Sequence, residues 1–276
     1  MGCRRLWLAL ALCLSAVLGG PSPAGAEVRA FSLKELVNEP VTSYDIAFLW
    51  FERLAEGKAV FTAGERPGTY RATLEAKTLG VAAWLTKDRI QRYSSLMELG
   101  PDGRLRTISH ESLIIKGDEK KRRERSKRYL FDHQRREVRV QAVKDGVTGA
   151  EQVLPMGDVV PSDILTAFYN FRMGAYGPLR PGGRYEIPTV NRKGISFITV
   201  ETLPDGPRKN AFFPRGGLLC RAIVDPEIFD TGDGAILFWF DHSGHPPRGI
   251  VEKVIGLGDV RGIARTQPAH PSAQAH

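Results

Sequence analysis

The chain has 276 residues, 42% of them hydrophobic, with three cysteines and a formal net charge of +8. A chain near this size buries roughly three quarters of its unfolded surface, so it can hold a core without covalent staples. The moderate basic excess suits an anionic envelope surface, and the export signal described next makes nucleic acid a poor partner.

At the N-terminus Arg4 and Arg5 precede an apolar run, Leu6 to Leu18, that Gly19-Gly20-Pro21 breaks. Ala24 and Ala26 supply small residues at −3 and −1, so residues 1–26 are expected to be a secretory signal cleaved after Ala26. The run falls short of the ~20 residues a membrane-spanning helix needs, so no transmembrane span is expected after cleavage. Cys13 follows Leu12 in mid-run, which argues against lipidation. Arg4-Arg5 lacks the polar flanks of a twin-arginine leader, which favours the general secretory route without closing the other. The expected location is the periplasm. Loss of the leader removes Cys3 and Cys13 with Arg4 and Arg5, leaving a net charge of +6 and Cys220 alone. The mature chain then has no internal disulfide to form, and Cys220, flanked by Leu218, Leu219 and Ala222, reads as a small buried hydrophobe.

Residues 27–43 form a lead segment with one helical turn expected over Phe31 to Val37. From Tyr44 the period changes. Tyr44, Ile46, Phe48 and Trp50 point one way and Ala47, Leu49 and Phe51 the other, as in a strand from Tyr44 to Phe51 buried on both faces. Tyr70, Ala72, Leu74 and Ala76 alternate with Arg71, Thr73, Glu75 and Lys77, which predicts a strand with one dry and one wet face. Similar runs cover 59–62, 90–98, 105–115, 127–131, 138–143, 184–187, 195–202, 218–224, 235–240, 249–255 and 259–264. Pro101-Asp102-Gly103, Asp145-Gly146, Pro181-Gly182-Gly183, Pro204-Asp205-Gly206 and Gly232-Asp233-Gly234 punctuate them with turn chemistry. Two segments read as helical. Thr78 to Leu85 is short. Pro161 to Met173 carries Ser162 as its expected N-cap, Asp163 in its first turn, and a stripe of Ile164, Leu165, Phe168 and Phe171. The expected fold is mainly β: a single curled antiparallel sheet, barrel- or sandwich-like, over residues 44–265, with one or two short helices covering it. The polar tail, residues 266–276, is expected to be disordered.

Three stretches together resemble one family. They are Gly68-Thr69-Tyr70-Arg71 through Ala76-Lys77-Thr78-Leu79-Gly80, then Tyr129-Leu130-Phe131-Asp132, then Pro161 to Arg172 with the Leu179-Arg180-Pro181-Gly182 turn. A C-terminal strand with Trp239, Asp241 and Pro246-Pro247 fits as well. In this order they resemble the bacterial domain-of-unknown-function 3108 family over about Tyr44 to Ala264. The resemblance implies an exported envelope protein with a curled antiparallel sheet, and it implies no reaction. Asn170 departs from it, standing where an aromatic is common.

The densest charge is the run Lys120, Lys121, Arg122, Arg123, Arg125, Lys127 and Arg128. On a hairpin it puts cations on both faces and suits anionic lipid, lipopolysaccharide or an acidic envelope protein, each cation adding ~1 kcal/mol near a charged membrane. The bland alternative is a solvated hairpin whose charge prevents edge pairing. Asp241, His242 and His245, with Asp132 and His133, are a weak metal or hydrolase set, since a Gly-Pro loop gives their spacing no helical meaning. No Gly-x-Ser-x-Gly elbow occurs, so no catalytic residue and no cofactor is assigned. Phe48, Trp50, Tyr70, Trp84, Tyr93, Phe238 and Phe240 are expected on inner faces, where they line a cavity for an amphiphile or fill it. The expected function is therefore binding or scaffolding without catalysis. The alternatives are an enzyme built on the Asp/His set and a purely structural interaction module.

Overall fold

The computed structural model describes residues 28–48, 51–118, 121–191, 193–203, 212–226, 232, 235–254 and 257–265. The expected leader and tail lie outside these residues, as do Trp50, Lys120 and the Pro204-Asp205-Gly206 turn. In chain order the elements are α1 (Leu33–Asn38), β1 (Thr42–Phe48), β2 (Phe51–Ala63), β3 (Thr69–Thr78) and α2 (Gly80–Thr86). Then come β4 (Ile90–Leu99), β5 (Leu105–Lys116), β6 (Arg123–Asp132), β7 (Glu137–Lys144), β8 (Val147–Thr148) and β9 (Gln152–Pro155). After α3 (Ile164–Arg172) follow β10 (Arg184–Asn191), β11 (Gly194–Leu203), β12 (Leu218–Ile223), β13 (Ala235–Phe240), β14 (Arg248–Val254) and β15 (Gly258–Ala264).

All these strands belong to one antiparallel sheet that is curled but not closed. Hairpins join neighbours along β10 to β15 and along β1 to β8, and β15 pairs with β1, so the last strand zips onto the first. Its edges are β10 on one side and β8 with β9, both on β7, on the other. The two edges approach each other. Val190 of β10 packs on Phe131, Val138, Leu154 and Met156 from β6 to β9, and Ser162 bridges to Thr189.

The alternation Tyr70 to Lys77 becomes β3 with Ala72 fully buried and Arg71 exposed, as its pattern predicts. The first long apolar run behaves differently. Phe48 pairs with Phe51 across a tight reversal, so Phe51 opens β2 instead of ending β1. β1 is half-buried on both faces over Thr42 to Ala47, where burial on both was expected; Tyr44 and Ile46 border an apolar chamber.

The helix α3 covers the inner side of the sheet, as expected, and lies within the core. Leu165 and Tyr169 pack on Phe61, Ala72, Tyr93, Met97 and Leu105. Ala167 and Phe171 pack on Ile187, Ile198, Val200, Cys220 and Phe240. Opposite faces of one helix thus meet opposite arms of the curled sheet, each large apolar side chain contributing ~1.5–3 kcal/mol of burial. Its polar residues Thr166, Asn170 and Arg172 are buried too, and each of these must then find partners. Asn170 Oδ1 accepts from Leu105 N–H and its Nδ2 donates to Leu105 C=O, both at 2.8 Å. Arg172 donates twice to the Glu39 carboxylate, at 2.7 and 2.8 Å, with its guanidinium 4.4 Å from the Phe31 ring centroid. A cation in the last turn also suits the helix dipole. These contacts clamp the lead segment, where Ser32 and Glu35 cap α1 reciprocally, over the C-terminal end of α3.

Candidate functional site

The N-cap of α3 is Asp163, not the expected Ser162. Asp163 Oδ1 accepts from Leu165 N–H at 2.8 Å, from Thr166 N–H at 3.2 Å and from Ser95 Oγ at 2.6 Å. Oδ2 accepts from Thr107 Oγ1 at 2.7 Å and Thr166 Oγ1 at 2.5 Å. His110 Nδ1 lies 2.9 Å from Ser95 Oγ and 3.2 Å from Asp163 Oδ1. Burial pushes the Asp163 carboxyl up, but the adjacent His110 and the Ser95 and Thr166 hydroxyls more than reverse this and hold it well below the usual carboxylate range. A β-bulge builds the cluster. Leu96 pairs with Ser109 and Met97 with Thr107, so β5 carries one extra residue at Ile108. That residue shifts the parity and turns both Thr107 and His110 inward.

Serine, histidine and aspartate meet here, yet not as a nucleophile relay. A relay needs serine and aspartate on opposite imidazole nitrogens. Ser95 and Asp163 both meet Nδ1, and Ser95 donates to the carboxylate. The cluster anchors α3 to β4 and β5.

That anchoring leaves space. α3 packs on β3, β4, β5 and β10, and the arc β14–β15–β1–β2 faces it across an apolar chamber of about 710 Å³. Its wall on the arc side is built of small residues, Ala55, Gly57, Ala59 and Gly262, between Ile46, Phe48, Val251 and Val260. At Gly57 a side chain would meet Ile46 Cδ1 at 3.2 Å and Tyr44 Cβ at 3.5 Å. The helix side is Ile164, Phe168 and Phe171. At the end nearest α1, Tyr44 Oη donates to Pro246 C=O at 3.1 Å, and burial, with Glu39 adding and Arg172 opposing, pushes this phenol up to about 12.

Of the aromatics expected to line such a space, Phe48, Tyr93 and Phe238 do. Phe240 is fully buried and stacks on Phe171, and Tyr70 stacks on Phe61, so these two fill core instead. Trp84 departs from the expectation altogether: it is 78% exposed on α2.

The pleat divides the basic run. Cross-strand pairing sets Ala76, Gln91, Ile114, Arg125 and Lys144 in one row, and Leu74, Tyr93, Ser112, Lys127 and Ala142 in the next. Paired residues share a face. Arg125, Lys127 and Lys144 therefore stand on the concave face that carries the chamber residues Ala76, Gln91, Leu74 and Tyr93, two to three strand spacings, ~10–15 Å, from Gln91 and Tyr93. Arg123 pairs with Lys116 on that face as well. Arg128 lies on the convex face, 3.2 Å from Glu111, Arg122 donates to Glu124 at 3.0 Å, and Lys121 precedes β6 in the hairpin.

The Asp/His candidates are turn-formers. Asp132 Oδ1 accepts from Gln134 N–H at 3.1 Å and Arg135 N–H at 2.9 Å. His133 Nε2 sits 2.7 Å from Thr107 C=O. Asp241 Oδ1 accepts from Ser243 and His245 N–H groups, and His245 Nε2 lies 3.5 Å from Glu39. His242 sits beside Gly216. The structure does not join the two sets, and no three His, Cys, Asp or Glu side chains among the described residues are grouped to hold a metal. Sequence reading missed the Asp163 cluster, although a cap-forming residue just before an apolar run was its visible signal.

No family model matches the chain, and no curated protein does. Among solved structures it is similar to the crystal structure of a beta-barrel-like protein of domain of unknown function DUF1849 from Brucella abortus. Identity is 12% over 82% of this chain and 95% of that one, with a TM-score of 0.44.

Proposed function

We propose that this is an exported, periplasmic binding protein that carries an amphiphile with an acidic head, its acyl part in the chamber and its head toward Arg125, Lys127 and Lys144. The chamber's size and apolar lining support this reading most: about 710 Å³ falls within the usual range for ligand sites, ~300–1,000 Å³. Space of this kind holds solvent or ligand. Each methylene moved from water into it contributes ~0.8 kcal/mol, so a chain of ten carbons supplies ~8 kcal/mol, about the equivalent of micromolar affinity before the cost of ordering it. The concave cations add charge-assisted contacts to a carboxylate or phosphate. The leader-like N-terminus supports the periplasmic part of the reading.

Native mass spectrometry of protein purified without detergent tests it. The expected spectrum shows an adduct whose extract contains an acidic amphiphile. Bare protein that also takes up no added long-chain fatty acid would remove the carrier reading in favour of a scaffold.

A further inference from the structure

The short helix α2 stands on the sheet rim formed by the end of β3, the start of β4 and the β5–β6 hairpin. Its inner side is built into the fold: Ala82 is buried, and Thr86 Oγ1 lies 3.0 Å from Thr78 Oγ1. Thr78, Thr86 and Arg89 all line the chamber. Its outer side is apolar and bare, with Val81 68% and Trp84 78% exposed. An indole with one wet edge and a large apolar face is the side chain best suited to a bilayer interface.

The topology surrounds this knob with cations. Lys77 and Arg89 flank α2 at the strand ends, and Lys87 is its C-cap. Gly117 N–H donates to Lys87 C=O at 2.6 Å, which sets the end of β5, with Lys116, beside α2. Arg123 and Lys144 continue the same rim on β6 and β7. The described acids there are Asp88, Asp118, Glu124 and Asp145, with Glu56 cross-strand from Lys77; Asp118 and Asp145 accept from the backbone N–H groups of Lys121 and Glu124 and so shape the hairpins.

We infer that α2 and this basic rim dock the protein onto an anionic phospholipid bilayer, Trp84 and Val81 entering the interface and the cations meeting headgroup phosphates. The apolar knob and the charge around it carry the inference without any cargo; that docking also sets the chamber's rim on the membrane rests on the carrier reading. Cations near such a surface contribute about fivefold in partitioning apiece, and neutral vesicles forfeit that factor.

Cosedimentation of the purified protein with phosphatidylcholine vesicles, with and without phosphatidylglycerol, tests this. Binding is expected to rise at least tenfold with the anionic lipid. Brominated acyl chains should quench more tryptophan emission in wild type than in Trp84→Phe. Val81→Ser/Trp84→Ser and Lys87→Glu/Lys116→Glu should each lower partitioning at least tenfold, with thermal unfolding unchanged and fatty-acid uptake in solution retained. Equal binding to neutral and anionic vesicles, or undiminished binding by Val81→Ser/Trp84→Ser, would overturn the inference. Vesicle binding by a protein that takes up no fatty acid sustains docking and removes the carrier reading alone.

Discussion

Ser95 Oγ donates a 2.6 Å hydrogen bond to Asp163 Oδ1 across 68 residues of chain, and both side chains are buried. Together with the Thr107 bond to the same carboxylate, it ties the start of α3 to β4 and β5. Asp163→Ala removes an N-cap, ~0.5–2 kcal/mol, and takes an acceptor from three hydroxyls. Ser95 keeps His110 Nδ1 at 2.9 Å and Thr107 keeps Thr166 Oγ1 at 3.0 Å, so about one donor, that of Thr166, is left unpaired at ~1–3 kcal/mol. Chemical denaturation should show a loss of about 2–5 kcal/mol. Asp163→Asn, which keeps the acceptor oxygen, should lose about half of that.

Acid should weaken the fold through the same carboxylate. Its pKa is depressed in the folded state, so the unfolded chain binds the proton first as pH falls, and folding stability drops with it. The contribution is complete above the unfolded value, 3.8, and is lost as pH falls through the folded one. Stability measured between about pH 5 and pH 2 should decline in wild type more steeply than in Asp163→Asn. Parallel slopes would place the acid sensitivity elsewhere.

Glu39 and Arg172 test the clamp over the end of α3. Both are nearly buried, at 10% and 3% side-chain exposure, so breaking the pair should cost about 3–5 kcal/mol. Arg172→Met and Glu39→Gln should each approach that loss, and the double variant should recover at least 1 kcal/mol of the summed loss in a double-mutant cycle. Strict additivity would show that the pair is not coupled.

Much of this architecture is written in period-two alternation, as along Tyr70 to Lys77, and turn residues mark most hairpins. What local pattern lacks is pairing at a distance. Nothing in Tyr44 or Ala264 announces that they face each other, because antiparallel partners are chosen by the whole sheet. Ile46 to Phe51 contains no turn residue, so its reversal at Phe48 and Phe51 was invisible. Ser162 and Asp163 cap equally well in isolation; Thr107 and Ser95 decide between them. The bulge at Ile108 scrambled the parity that would have shown Thr107 and His110 as neighbours. Trp84 sits on a helix of under two turns, too short for a face to be read. The chamber itself is a deficit of bulk at Ala55, Gly57 and Ala59, whose period-two spacing marks a strand face but not the space in front of it.

Ala59→Leu separates a true space from a packed wall. In a filled core the added carbons cost about 1–3 kcal/mol. In the chamber they should be neutral or stabilising by up to about 1 kcal/mol, read as an unchanged or raised Tm.

Equilibrium titration of the delipidated protein with a fluorescent fatty acid bears most directly on the chamber's role. Binding should be saturable and one-to-one, weakened at least tenfold by Ala59→Trp, while Arg125→Glu/Lys127→Glu weakens the acid but spares the matching fatty alcohol. Folded wild-type protein that fails to saturate, or an Ala59→Trp variant that binds as well, would contradict that role.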